Sequence, residues 1–133
     1  MLHTATKIEQ NWKAMMIVFG GERNFEGNAY ALNLETMEWI KLDNIHYLRV
    51  NHTANIYEGN IVLFGGEAYG RKNDIQVYNS RKKTLKTVET EGDPPTPRVG
   101  HGTAISGNVM YVFGGMYERV ILNDLHSYDL TSK

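Results

Sequence analysis

At 133 residues the chain is long enough for one hydrophobic core and too short for two ordinary domains, and 41% apolar with 22% charged residues is a globular composition, not a disordered or fibrous one. Fourteen Lys and Arg against fifteen Asp and Glu leave a formal charge of -1, which removes any broad electrostatic reason to bind nucleic acid or an anionic membrane surface; neither is expected as a partner. With no cysteine in the chain, disulfide frameworks, thiolate metal sites and cysteine nucleophiles are excluded.

The first predicted stretch starts at His3 with Thr4-Ala5, passes Glu9, Gln10, Asn11 and Trp12, and resumes as Met16-Ile17-Val18-Phe19 before the pair Gly20-Gly21. The second repeats that order with His52, Thr53-Ala54, the turn Glu58-Gly59-Asn60, the run Ile61-Val62-Leu63-Phe64 and Gly65-Gly66. The third does so again with His101, Thr103-Ala104, Ser106-Gly107-Asn108, Met110-Tyr111-Val112-Phe113 and Gly114-Gly115. Successive phenylalanines lie 45 and 49 residues apart and successive histidines 49, a period that marks propeller blades, not helical hairpins. Downstream, Asn73-Asp74 and Asn123-Asp124 precede Tyr78-Asn79 and Tyr128-Asp129, while the first copy offers the weaker match Gly27-Asn28 and Leu32-Asn33.

Each copy reads as four short strands, A to D, because β-branched and aromatic residues cluster between segments rich in Gly, Asn, Asp and Pro. Tight turns join A to B in the second and third copies, and the longer link through Glu9 to Trp12 is expected to be a local insertion. Strand B is apolar without alternation in every copy, which predicts burial on both faces. The glycine pairs then fit a strand end with close backbone approach. A phosphate loop would need a helix with Lys and Ser/Thr after the glycines, and none follows. Asn51-His52-Thr53 satisfies the glycosylation sequon, but no basic region with an apolar h-region precedes it, so it reads as chance and the protein is expected to be cytoplasmic.

The His, apolar-Gly-Gly and Asn-Asp elements in register resemble the kelch repeat family, whose blades add a later Tyr and Trp. Leu32 stands where the family has Tyr, and Leu85 where it has Trp. The resemblance covers essentially the whole chain and implies an all-β fold: about three kelch-type β-propeller blades of four-stranded antiparallel sheets, at about 3–42, 52–88 and 101–130, the last lacking its outer strand. The stretch from Gly92 to His101 is more similar to kelch repeats of Rab effector and host-cell-factor type than to those of cullin adaptors.

In such a blade the B–C and D–A loops share one face. The B–C loops carry Arg23 with Phe25, Arg71 with Tyr69, and Arg119 with Tyr117, the aromatic-plus-arginine composition of interaction hot spots. D–A loops add His46, Tyr47 and Arg49, and a Pro-rich segment before Arg98; the competing reading of Arg49 and Arg98 is a basic repeat position that bonds backbone carbonyls. The expected function is a protein-interaction scaffold that binds a protein or peptide through these loops, and the segment itself is expected to be no enzyme and to need no cofactor. The alternative is the propeller portion of a larger kelch-containing enzyme or ubiquitin-ligase adaptor. His3, His52 and His101 occupy equivalent repeat positions, too far apart in a ring to converge on a metal, and are expected to be structural. The iron-binding ExxxDxxxH pattern of specifier proteins is absent, and galactose-oxidase-like chemistry needs a cysteine-modified tyrosine.

Three blades cannot close a ring, since propellers close with four to eight. Two expectations follow: the chain is a segment of a larger kelch protein, or two copies self-associate through open blade edges. The lack of a spare N-terminal strand favours the first.

Overall fold

The computed structural model describes residues 2–10, 12–21 and 26–131. Those residues form thirteen strands and no helix. The first sheet joins β1 (His3–Gln10), β2 (Lys13–Gly20), β3 (Ala29–Asn33) and β4 (Trp39–Leu42) in sequence order, all antiparallel. The second repeats the arrangement with β5 (Thr53–Tyr57), β6 (Asn60–Phe64), β7 (Ile75–Asn79) and β8 (Thr84–Thr87). In the third, β10 (Val109–Phe113) lies between β9 (Gly102–Ser106) and β13 (Leu125–Asp129), and among the described residues no outer strand follows. The all-β fold of open, kelch-like blades is therefore present, as a partial propeller.

Packing between blades determines which faces are buried. In β6, Ile61 and Leu63 join β2 residues Ile17 and Phe19 in one core, while Val62 and Phe64 join Met110 and Val112 of β10 in a second. The middle B strand is thus covered on both sides. In β2 fully buried and half-buried positions alternate, and in β10 buried ones alternate with exposed Tyr111 and Phe113. The expectation that all three B strands are buried on both faces holds only for the middle one, because only that blade has two neighbours.

The extra length expected between the first A and B strands is taken up as strand, with Glu9 and Gln10 continuing β1: the ladder runs from His3↔Gly20 to Gln10↔Lys13, eight pairs, against five from Thr53↔Phe64 to Tyr57↔Asn60. Gln10 Nε2 fixes the extension to the second blade, donating to Ser80 O at 2.6 Å and to Tyr78 Oη at 3.4 Å.

The middle glycine pair lies between two histidines. A Cβ on Gly65 would stand 2.7 Å from Cε1 of His101 in the next blade, and one on Gly66 would stand 2.9 Å from Cβ of His52 in its own. Both glycines have positive φ, so neither space nor backbone admits a side chain. The histidines tie the A strands together: Thr4 Oγ1 lies 2.7 Å from His52 Nε2, and Thr53 Oγ1 lies 3.1 Å from His101 Nε2. His101 Nε2 is also 3.1 Å from Phe64 O, which can only accept, so that nitrogen carries the proton. Burial lowers His52 to about 3 and His101 to about 4, keeping both neutral near pH 7.

Candidate functional site

The B–C and D–A loops meet on one face, where backbone pairing holds them rigid. Val50 and Glu67 exchange hydrogen bonds of 3.1 and 2.9 Å, and Val99 and Met116 exchange bonds of 3.1 and 2.8 Å. In both blades the residue after the arginine pairs with the residue after the glycines. A short hairpin, β11 (Met116–Tyr117) with β12 (Val120–Ile121), rises from the third blade and turns through Glu118 at positive φ and Arg119.

The candidate residues separate into two groups. Tyr47 and Arg49 were read as partner-binding, and the fold uses them internally instead. Tyr47 is buried, its ring packed edge-on against Phe19 at 5.5 Å and His52 at 4.9 Å, with the Arg49 guanidinium 5.4 Å from its centroid. Arg49 donates to Gly65 O at 3.1 Å and pairs with both oxygens of Asp74, while its own carbonyl accepts from Gly21 N at 3.0 Å. One residue thereby links the glycine pairs of two blades. Arg98 does the same in the next blade, through Gly66 N, Gly114 O and a bidentate pair with Asp124 at 2.7 and 2.8 Å. Burial pushes the Asp74 carboxyl up, but the hydrogen bonds and charge of Arg49 hold it below its ordinary value; the hydrogen bond from Arg98 does so for Asp124. The reading of these arginines as a carbonyl-bonding repeat position describes what the fold does with them.

Tyr69, Arg71, Tyr117 and Arg119 occupy the loop face. Tyr69 is 97% exposed at a φ of 54°, a left-handed conformation that a bulky residue rarely adopts, and the Glu67↔Arg71 bridge closes the loop around it. Arg71 donates to Met116 O at 3.0 Å and so joins the B–C loops of the second and third blades. Arg119 is exposed and Tyr117 half-buried. Arg23 and Phe25 lie outside the described residues. Sequence reasoning missed Val120 and Ile121, which are exposed on β12, Ile121 to 83%. An apolar pair within a loop between two charged turns was the available signal.

The loop face therefore has aromatic and aliphatic side chains exposed on paired backbone, with Arg71 and Arg119 beside them. Such a surface can bury apolar area and donate charged hydrogen bonds without a large ordering cost. Among the described residues of the second and third B–C loops the carboxylates are Glu67 and Glu118, and Glu67 lies 3.9 Å from Arg71.

Residues 2–133 match the family described as KLHDC2/KLHL20/DRC7 Kelch-repeats domain. Kelch domain-containing protein 1 of Mus musculus is 30% identical over 99 residues, covering 56% of this chain and 24% of the relative. Acyl-CoA-binding domain-containing protein 5 of Arabidopsis thaliana is 29% identical over 108 residues, 75% of this chain and 17% of the relative. Ras guanine nucleotide exchange factor F of Dictyostelium discoideum is 30% identical over 120 residues, 84% of this chain and 11% of the relative. The chain spans a quarter or less of the length of each of these relatives.

Proposed function

This chain belongs to the kelch repeat family, and on that premise we propose that its B–C loop face docks a protein or peptide partner. Kelch domains typically bind proteins; the particular face and residues are the additional step. The observation that carries it is Tyr69, a nearly fully exposed aromatic held in a left-handed conformation in a loop that Arg71 ties to Met116 O of the hairpin exposing Val120 and Ile121. A large aromatic left exposed on a loop held by backbone pairing is surface available to a partner. In this reading the segment supplies recognition and no catalysis.

A photo-crosslinking amino acid at position 69 or 121 tests the face, with position 39 on the outer strand β4 as the control, since Trp39 is also exposed. Partner adducts are expected from 69 and 121 and not from 39. Adducts from 39 alone, or equally from all three, would place binding elsewhere.

A second reading rests on the relatives' lengths and names. Relatives named for an acyl-CoA-binding domain and for a Ras guanine nucleotide exchange factor match over a minor share of their length, so the segment would serve as the docking part of a longer chain with another activity. Both readings require the same face to bind.

A further inference from the structure

In the third blade β13 lies at the margin of its sheet, paired to β10 alone, and among the described residues no strand covers its other edge. Gly114 N donates to Asp124 O and Leu130 N donates to Asn108 O. The even-numbered residues of β13 therefore bond inward to β10, and Leu125 and Ser127 direct their backbone N–H and C=O groups outward. In the second blade the same edge is taken. Ile75, which pairs with Phe64 as Leu125 pairs with Phe113, accepts from Val88 N at 2.8 Å at the end of β8. An uncovered row of backbone groups is a template for a further strand.

Two cavities adjoin that edge and share Ile75 and Tyr128. One, of about 180 Å³, has Val62, Val77, Val88 and Leu130 in its wall. The other, of about 120 Å³, reaches from His126 to Glu91 and Asp93 of the D–A linker. The second blade shows what belongs there: Tyr78 pairs with Leu85 and Gln76 with Thr87, so the partners of Tyr128 and His126 stand two residues apart on one face of an added strand. That face looks toward the second blade, because Tyr128 packs on the second core as Tyr78 does in the first. Trp39 and Leu85 fill the position opposite this tyrosine or its equivalent in the first two blades, and Leu85 packs against the first core. Among the described residues, no hydrogen bond or ion pair engages the side chains of Glu91 and Asp93, whereas the Asp124 carboxylate is taken by Arg98 and His126.

We propose that the outer edge of β13 takes up an extended segment of a partner protein as a fourth, antiparallel strand, with Trp or Leu opposite Tyr128 and Lys or Arg two residues later, opposite His126. The apolar side chain enters the larger cavity and the cation lies toward Glu91 and Asp93. The residue between them pairs with Ser127 and exchanges both backbone hydrogen bonds with it. Backbone bonds supply the affinity, and the two cavities select the sequence. The linker carboxylates disfavour an acidic residue at the second position.

The probe is the hexapeptide Thr-Trp-Thr-Lys-Thr-Thr, labelled with fluorescein at its N-terminus and amidated at its C-terminus, titrated with the 133-residue chain and followed by anisotropy. A saturable rise is expected. Replacing the peptide's Trp by Ser, its Lys by Glu, or the Thr between them by Pro is expected to weaken binding at least tenfold. In the protein, Ser127→Pro removes an outward N–H and is expected to abolish binding with an unchanged far-ultraviolet circular dichroism spectrum. Glu91→Lys with Asp93→Lys changes two exposed linker residues and is expected to reverse the preference between the Lys and Glu peptides, which keeps the test decisive if Ser127→Pro fails to fold. No saturable rise, equal binding of the Ser-for-Trp peptide, retained binding in folded Ser127→Pro, or an unreversed preference would each overturn the proposal. So would a dimer in sedimentation that the peptide does not dissociate, since a second copy would then own the edge. Tyr69→Ala on the B–C face leaves these titrations unaltered, so the two sites fail separately.

Discussion

Phe64 and Phe113 close the same run before the same glycine pair, yet Phe64 is 2% exposed and Phe113 is 58% exposed. The chemistry is identical and the neighbours differ. Phe64 faces a third blade, and Phe113 faces the open side of the array, where Tyr111 and Leu125 are also exposed. In a repeat fold a residue's burial comes from the adjacent unit as well as from its own strand. The same holds at the glycines: a Cβ on Gly65 would collide with His101, whereas one on Gly114 would meet nothing closer than Leu122 O at 3.4 Å.

Substitutions at equivalent positions can break that comparison. Phe64→Ala removes a ring packed between two blades and is expected to cost about 3–5 kcal/mol, while Phe113→Ala stays within about 0.5 kcal/mol; paired urea titrations measure the difference. Equal losses would mean that the faces are not distinguished by their neighbours. Gly65→Ala adds a clash with His101 to the left-handed backbone and is expected to cost about 2–5 kcal/mol, against about 1–2 kcal/mol for Gly114→Ala, where only the backbone objects. Thermal melts of the two variants separate these contributions.

A smaller effect comes from the buried histidines. Their lowered values mean that the unfolded chain binds protons that the folded chain refuses, so stability rises with pH in that window. It is complete above about 6.5, the ordinary histidine value, and is lost as pH falls toward about 4 for His101 and about 3 for His52. His101→Gln is expected to be less stable at pH 7 and to show a shallower loss between pH 6.5 and 4. An unchanged slope would remove His101 from the acid response.

Much of the blade architecture was legible because it repeats. Three in-register copies of histidine, apolar run and glycine pair predict the hairpins and the close backbone approach. Repetition is silent on what faces the ends of an array, which is why the exposed side of β10 was not foreseen. It also does not distinguish a loop residue directed outward from one folded under: Tyr47 and Arg49 had hot-spot composition, but the carbonyl of Gly65 and the carboxylate of Asp74 draw the guanidinium inward. Val120 and Ile121 were missed for the converse reason, since a two-residue strand within a loop gives no periodicity to read. That the added length of the first hairpin is strand was not legible, because Gln10, the residue that fixes it, acts through a long-range bond to Ser80.

The direct test of function on the loop face separates recognition from architecture in one protein. With a photo-crosslinker at position 121, Tyr69→Ala is compared with the unsubstituted chain for adduct yield and for Tm. The expected result is a loss of most of the adduct with Tm changed by no more than a degree or two, since Tyr69 packs against almost nothing. Retention of the adduct, or its loss together with a large fall in Tm, would contradict a docking role for this face.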